Sequence, residues 1–189
     1  MQIEATTLPG VLLVKPKVFS DTRGQFFESF QARRYLEHGM PLPFVQDNIS
    51  YSQRGTLRGL HYQLQHPQGK LVSVLRGKVF DVAADIRVGS ATFGHAFGCE
   101  LSDENHYQLY VPPGFAHGFF VLSEEACFHY KCTDYYAPQD EHGIAWNDPQ
   151  LNIPWPCTAA PMLSEKDQRY LFLGNTAAAQ LPHLGHGSL

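Results

Sequence analysis

Residues 54–87 read RGTLRGLHYQLQHPQGKLVSVLRGKVFDVAADIR, and the fold is decided there. Residues 57–63 make one apolar run, 70–75 a second and 78–86 a third. His66, Pro67, Gln68 and Gly69 break the first from the second, and Gly77 turns the second into the third. Short runs of Val, Leu, Ile and Phe bounded by Gly and Pro predict antiparallel strands. Two residues are out of character. His61 and Lys70 are a base and a cation in segments that otherwise read as core, and such groups are rarely buried without a partner or a task.

The same pattern continues on both sides. Residues 11–14 and 18–19 are short apolar runs split by Pro16, which predicts edge strands. Asp21, Thr22, Arg23 and Gly24 make a turn signature. Residues 31–38 predict a short helix ended by Gly39 and Pro41. Further strands are predicted over 44–52, 93–101, 106–111, 117–122 and 126–133, with a loop over 134–144 and an irregular Pro-rich stretch over 147–161. Ser164 is a good N-cap for a helix reaching Leu173 and closed by Gly174. Many short strands with no long helical period predict an all-β sandwich or barrel with a few short helices. Residues 1–175 are expected to form a single domain, and residues 176–189 a disordered tail.

The bulk composition narrows the function. A chain of 189 residues suits one domain with a sizeable core. Charged residues are only 17% while aromatics reach 13%, so faces buried beyond those of a monomer, and hence an oligomer, are expected. A net charge of −4 argues against a nucleic-acid or membrane surface but leaves room for an anionic small ligand held by a few Arg residues. Cys99, Cys127, Cys132 and Cys157 have no CxxC spacing and read as buried free thiols. The first residues, MQIEATTLPG, have no apolar signal core, and no stretch is long enough to span a bilayer, so a cytoplasmic location is expected.

Strand phase then selects candidates, because alternate residues face opposite sides. Ala126, Phe128, Tyr130 and Cys132 form an apolar, inward face, which points the Tyr130 hydroxyl into the interior in need of a partner. His117 shares a face with Phe119 and Val121, and His61 with Leu57, Gly59 and Gln63. Asp81 lies on a face with Val79 and Ala83. One inward His is more often structural than functional, but polar inward residues on several strands favour a site. Arg58 should face away from His61 on a flat strand, unless a bulge at Gly59 brings both to one pocket.

A sandwich of this kind resembles the cupins. Their metal motif needs HxH in one strand, where this chain has His61-Tyr62-Gln63. The second part, PxGxxH, survives in Pro112-Pro113-Gly114-Phe115-Ala116-His117. Two imidazoles fall short of the three or more ligands a catalytic metal wants, so no metal is expected.

Longer motifs carry a closer resemblance. RGLHYQ (58–63), GKLVSVLRGKVFDVAADIR (69–87), LYVPPGFAHGF (109–119) and FHYKCTDYYAPQDEHGIAWNDP (128–149) resemble the dTDP-4-dehydrorhamnose 3,5-epimerase family, over about residues 1–174. The resemblance implies a metal-free cupin jelly roll, a homodimer, no cofactor and a dTDP-4-keto-6-deoxy-hexose substrate. It implies that His61 is the base, Tyr130 the acid, Lys70 the group that steadies the enolate and Asp167 the residue that orients His61. It also implies substrate contacts from Arg23, Glu28, Gln46, Asp47, Asn48, Arg58, His117, Glu141 and Lys166, with Tyr136 stacked on the thymine. Whether one subunit or its partner supplies Arg23 and Glu28 stays open. The rivals are a monoepimerase or 3,4-ketoisomerase on the same scaffold, a metal-dependent cupin dioxygenase, and a sugar-binding cupin without catalysis.

Overall fold

The computed structural model describes residues 1–40 and 43–185. Its strands are β1 (Gln2–Ala5), β2 (Leu12–Lys15), β3 (Phe19–Asp21), β4 (Gly24–Phe26), β5 (Gln46–Gln53), β6 (Leu57–Gln63), β7 (Lys70–Arg76), β8 (Lys78–Asp85), β9 (Ala96–Ser102), β10 (Gln108–Val111), β11 (Phe115–Val121), β12 (Glu125–Cys132) and β13 (Glu141–Gly143), with a short helix α1 (Ala32–Glu37). A six-stranded sheet runs β1-β2-β10-β7-β12-β5, and a five-stranded sheet runs β13-β6-β11-β8-β9. The two pack face to face as an antiparallel jelly roll of the cupin type, and β3 and β4 form a separate hairpin. No helix among the described residues is long and apolar enough to cross a membrane.

The inner faces follow from period-2 alternation. Val72 and Val74 of β7, Leu109 of β10 and Phe128 of β12 meet Val79 and Ala83 of β8 and Phe119 and Val121 of β11 in one buried cluster. Phe119 and Phe128 stack across the two sheets, ring centroids 4.0 Å apart, and close the floor of the cavity described below. A second cluster lies on the outer side of the smaller sheet, where Leu60, Val82, Ala84 and Ala116 are covered by Ile144, Leu151, Leu173 and Leu181. Strand β8 is therefore buried on both faces, which explains its near-continuous apolar sequence. Helix α1 covers part of the larger sheet's outer face through Tyr35, against Val14, Leu71 and Tyr110.

Several local expectations are corrected. Residues 11–14 were expected at an edge, but β2 lies between β1 and β10 because Gln2–Ala5 pairs outside it. The loop over 134–144 contains β13, a polar three-residue strand held by its pairing with β6 and by tertiary contacts of Glu141 and His142. The helix over 164–173 is only a 3-10 turn, Asp167–Arg169. Its N-cap position is Lys166, not the expected Ser164, although the Ser164 Oγ accepts from the Asp167 N–H at 3.1 Å. The chain then straightens, because Leu171 bridges Ile144 in parallel and its carbonyl accepts from the Ala145 N–H. So short a helix cannot hold against such tertiary pairing. The tail from residue 176, expected to be disordered, packs as far as residue 185: Ala178–Gln180 is a 3-10 turn, Leu181 is buried, and the Tyr62 hydroxyl donates to the Gln180 carbonyl at 2.8 Å. Helix α1 has Gln31 as its cap, its side-chain oxygen accepting from the Arg34 N–H at 2.7 Å; its expected stop at Gly39 holds, while Pro41 lies outside the described residues.

Candidate active site

Strands β6 and β11 come together backbone on backbone, and this contact sets the site. Gly59 has φ +122°, and a Cβ there would lie 2.6 Å from the Gly118 Cα and 2.7 Å from the His117 carbonyl oxygen. Only glycine permits both the dihedral and the approach. The register of β11 against β6 shifts between His117 and Phe119, opposite this point. Alternation is broken there, so Arg58 and His61, three residues apart, both face one cavity. That is the arrangement expected from an irregularity at Gly59.

The cavity has a volume of about 340 Å³ and opens between the two sheets. Of the residues singled out in the sequence, it is lined by Gln46, Asn48, Arg58, His61, Lys70, His117, Tyr130, Tyr136, Glu141 and Lys166. Asp167 lies directly behind His61, its Oδ1 accepting from the imidazole Nε2 at 2.7 Å. A carboxylate can only accept, so this bond places the proton on Nε2 and leaves Nδ1 with its lone pair. Burial opposes ionisation of Asp167, but bonds from His61, Ser164 and the Gly59 N–H outweigh it and hold the carboxyl below its usual range. His117 is fixed in the same way by Asp81, which is fully buried and accepts from its Nε2 at 3.0 Å.

The opposite wall comes from the larger sheet. The phenol of Tyr130, on β12, makes no hydrogen bond to the described residues and opens onto the cavity. Burial raises its pKa, as do the Cys132 thiol and Glu141, against a smaller opposing effect of Arg58. Lys70, on β7, has neither a hydrogen bond nor an ion pair among the described residues. Burial lowers its pKa from the usual 10.5, partly offset by Cys132, Glu141 and Asp81. An unspent ammonium and an unspent phenol therefore face a His–Asp pair across the cavity.

At the mouth, Tyr136 is half exposed, and its hydroxyl donates to Glu141 while its N–H donates to the Gln46 side-chain oxygen at 2.9 Å. The bond to Glu141 pushes the Tyr136 phenol up to about 12. Lys166 pairs with the same carboxylate at 2.6 Å. Burial works against ionisation of Glu141, but Lys166, Tyr136 and His61 together hold it below its normal value. Arg58 donates through Nε to Ser52 Oγ at 3.0 Å and has no carboxylate partner among the described residues. Arg58 and Lys70 thus leave positive charge for an anionic ligand.

Three of the expected residues lie elsewhere in the chain. Asp47 is on the outer face of β5 with Ile49 and Tyr51, and accepts from Lys131 at 2.9 Å. Alternation alone separates it from Gln46 and Asn48, which face inward. Arg23 is 89% exposed in the β3–β4 turn, paired with Asp21 at 2.6 Å. Glu28 pairs with Arg34 at 2.8 Å. Conversely, Ser50, Tyr62, Gln68, Phe119 and Phe128 line the cavity without having been singled out for it. Ser50 was accessible to the same alternation that places Gln46 and Asn48. Gln63, where a metal cupin has its second His, is committed to the loop over 134–137, donating to the His66 and Tyr135 carbonyls and accepting from the Ala137 N–H.

Comparison with known proteins gives a consistent result. The family model described as dTDP-4-dehydrorhamnose 3,5-epimerase matches residues 5–175. A dTDP-4-dehydrorhamnose 3,5-epimerase from Pseudomonas aeruginosa is 55% identical over 170 residues, covering 89% of this chain and 94% of that protein. The crystal structure of the dTDP-6-deoxy-D-glucose-3,5-epimerase of Legionella pneumophila, in complex with dTDP-4-keto-L-rhamnose, superposes with a TM-score of 0.94 at 54% identity, covering 96% of this chain and 97% of that one. A dTDP-4-dehydrorhamnose 3-epimerase from Streptomyces niveus is also similar, 39% identical over 96% of this chain and 88% of its own.

Proposed function

The chain belongs to the dTDP-4-dehydrorhamnose 3,5-epimerase family, and on that premise we propose that it inverts C3 and C5 of dTDP-4-dehydro-6-deoxy-D-glucose, giving dTDP-4-dehydro-L-rhamnose, as a cytoplasmic homodimer without a cofactor. The observation that carries this reading is the cavity with His61, oriented by Asp167, on one sheet and an uncommitted Tyr130 and Lys70 on the other.

The chemistry follows from the substrate. The C4 carbonyl makes the hydrogens on C3 and C5 acidic, because the charge left by their removal moves onto its oxygen. His61 takes the proton from one face of the ring through the imidazole nitrogen left bare by Asp167. The C–H electron pair becomes the enolate, and the Lys70 ammonium holds the developing oxyanion in a site partly shielded from water. Tyr130 then delivers a proton from the other face, and the carbonyl reforms with the centre inverted. Arg58 faces the diphosphate, and Tyr136 stacks on the thymine at the mouth beside the Glu141–Lys166 pair. The test is incubation with the 4-keto sugar nucleotide in heavy water, followed by NMR. Deuterium at both C3 and C5 with the L-configured product supports the reading. Inversion at C3 alone supports the monoepimerase reading that the Streptomyces relative brings with it, and binding without exchange supports a non-catalytic cupin.

The dimer explains why Arg23 and Glu28 lie outside this chain's own cavity. The β3–β4 hairpin presents Arg23 beside Phe19 and Phe26, all exposed, as an arm suited to reach a second copy. Ile49, Tyr51 and Leu75 add an exposed apolar patch on the larger sheet. Light scattering at micromolar concentration should give a dimer, with an interface above about 1,200 Å²; a monomer would remove this part of the proposal.

Lys70 sets the alkaline limit. Its ammonium deprotonates below the usual 10.5 while the Tyr130 phenol keeps its proton beyond the usual 10.0. Burial thus brings loss of the oxyanion partner to lower pH than for a free lysine, and moves loss of the acid the other way. The alkaline limb of the kcat profile should move to higher pH in Lys70→Arg, because guanidinium stays charged; an unmoved limb would assign it to another group.

Tyr136→Ala should weaken dTDP binding by about 1–3 kcal/mol, roughly 5- to 150-fold in Kd. Exchange at saturating substrate should change little. Calorimetry with dTDP measures the first and heavy-water NMR the second, and an unchanged Kd would remove Tyr136 from the nucleotide site.

A further inference from the structure

Behind the His61–Asp167 pair stands Tyr170, which no step above uses. Its ring meets the His61 imidazole edge to face, centroids 5.8 Å apart at 73°. Its hydroxyl is buried and has no hydrogen-bond partner among the described residues. With no hydrogen bond to hold it, the side chain is placed by the packing of its ring. The other side of the ring rests against Gly143, where an added Cβ would fall inside the ring's own van der Waals surface. Gly143 is also the β13 residue paired with His61 on β6. The ring therefore fills a slot bounded by the backbone of the residue opposite His61 and by the imidazole itself.

The chain around Tyr170 points the same way. Asp167 and Tyr170 belong to one strap, which turns through Asp167–Arg169 and is then tied to the sheet by the Leu171 bridge to Ile144. The strap delivers the carboxylate to Nε2 and the ring to the imidazole edge. Burial, with Glu141 and Asp167 nearby, pushes the Tyr170 phenol well above its usual range, so the group stays neutral and contributes packing, not charge.

We propose that Tyr170 is a positioning residue for the base: its ring, seated in the slot left by Gly143, fixes the His61 imidazole at the place and angle where Nε2 meets Asp167 and Nδ1 meets the substrate. This rests on the reading of His61 as the base. The ring does the work, and the hydroxyl does none. A reacting group displaced by about 1 Å can lose on the order of 10²-fold in rate, which is the scale to expect.

The test compares Tyr170→Phe, Tyr170→Leu, Gly143→Ala and His61→Asn by kcat, KM, heavy-water exchange and thermal melting. Tyr170→Leu should lose about 10- to 100-fold in kcat and in exchange rate, with KM little changed, since the nucleotide contacts are untouched. Tyr170→Phe should restore both, because it keeps the ring. Gly143→Ala, which forces the ring aside, should fall with Tyr170→Leu, and the double variant should lose no more than the worse single, as expected of two changes acting through one group. Wild-type kcat in folded Tyr170→Leu overturns the inference, and so does a Tyr170→Phe loss equal to that of Leu. If Tyr170→Leu does not fold, Gly143→Ala decides, and wild-type kcat there overturns it. Exchange surviving at the wild-type rate in His61→Asn strikes the base assignment itself, whereas an inert His61→Asn with a fully active Tyr170→Leu strikes only the role of Tyr170.

Discussion

His61→Asn should show no deuterium uptake at C3 or C5 in heavy water, with turnover down by about 10²–10⁴-fold. The substitution is chosen for being close to His in volume and still polar. Asp167 is buried and accepts from Nε2 at 2.7 Å. Truncation to Ala would leave that carboxylate buried and unpaired, and lost stability would be confused with lost chemistry. The Asn amide ends level with Nδ1, short of Nε2, so it removes the basic nitrogen without opening the hole that Ala would, while Asp167 keeps its bonds from Ser164 and the Gly59 N–H; a melting temperature on the same sample separates lost stability from lost chemistry. Both centres should fail together if, as proposed, one imidazole serves both carbons flanking C4. Exchange at either carbon at the wild-type rate would remove His61 from the mechanism. Glu141, whose Oε1 lies 3.9 Å from Nδ1, would then be the next base to test.

How much of this could be read from the chain varies with the kind of signal. The three runs between residues 57 and 86 are β6, β7 and β8 to within a residue, because Gly and Pro punctuate them and their apolar patterns are strong. The inward face of β12 followed from simple alternation, and it placed Tyr130 correctly on the cavity. Elements held only by tertiary contacts were not legible. Strand β13 is Glu-His-Gly, with no strand propensity, and exists because β6 offers it an edge. The segment after Ser164 carries real helix signals and still stops after one turn, since Asp167 is drawn to His61 and Leu171 to Ile144. Asp47 was assigned to the substrate by resemblance alone, outside the quoted motifs, and in this chain the pleat turns it outward to Lys131. Arg23 and Glu28 mark another limit: the resemblance left open which subunit supplies them, and in this chain they pair with Asp21 and Arg34 and do not line the cavity.

Tyr130→Phe should separate two events that His61→Asn abolishes together. The base remains, so protons should still leave, and deuterium should still enter when the same imidazole returns it to the face it came from. What should be lost is net inversion, at one centre or both, because no acid stands on the far side. The substitution is mild for the fold. The Tyr130 hydroxyl has no partner among the described residues, so no buried group is orphaned by its removal, and the Phe ring keeps its contact with Phe128. A melting temperature near that of the wild type is the internal control. The size of the effect is set by the proton donor. Burial holds the phenol protonated past its usual range, and a cavity water at the same place would have to protonate the enolate without that orientation. The decisive comparison is one NMR series giving deuterium content and product configuration from the same samples. Exchange continuing while configuration is retained would assign the base to His61 on the smaller sheet and the acid to Tyr130 on the larger. Full inversion at the wild-type rate would show that Tyr130 is not the acid, and the proton would have to come from another group facing the same wall.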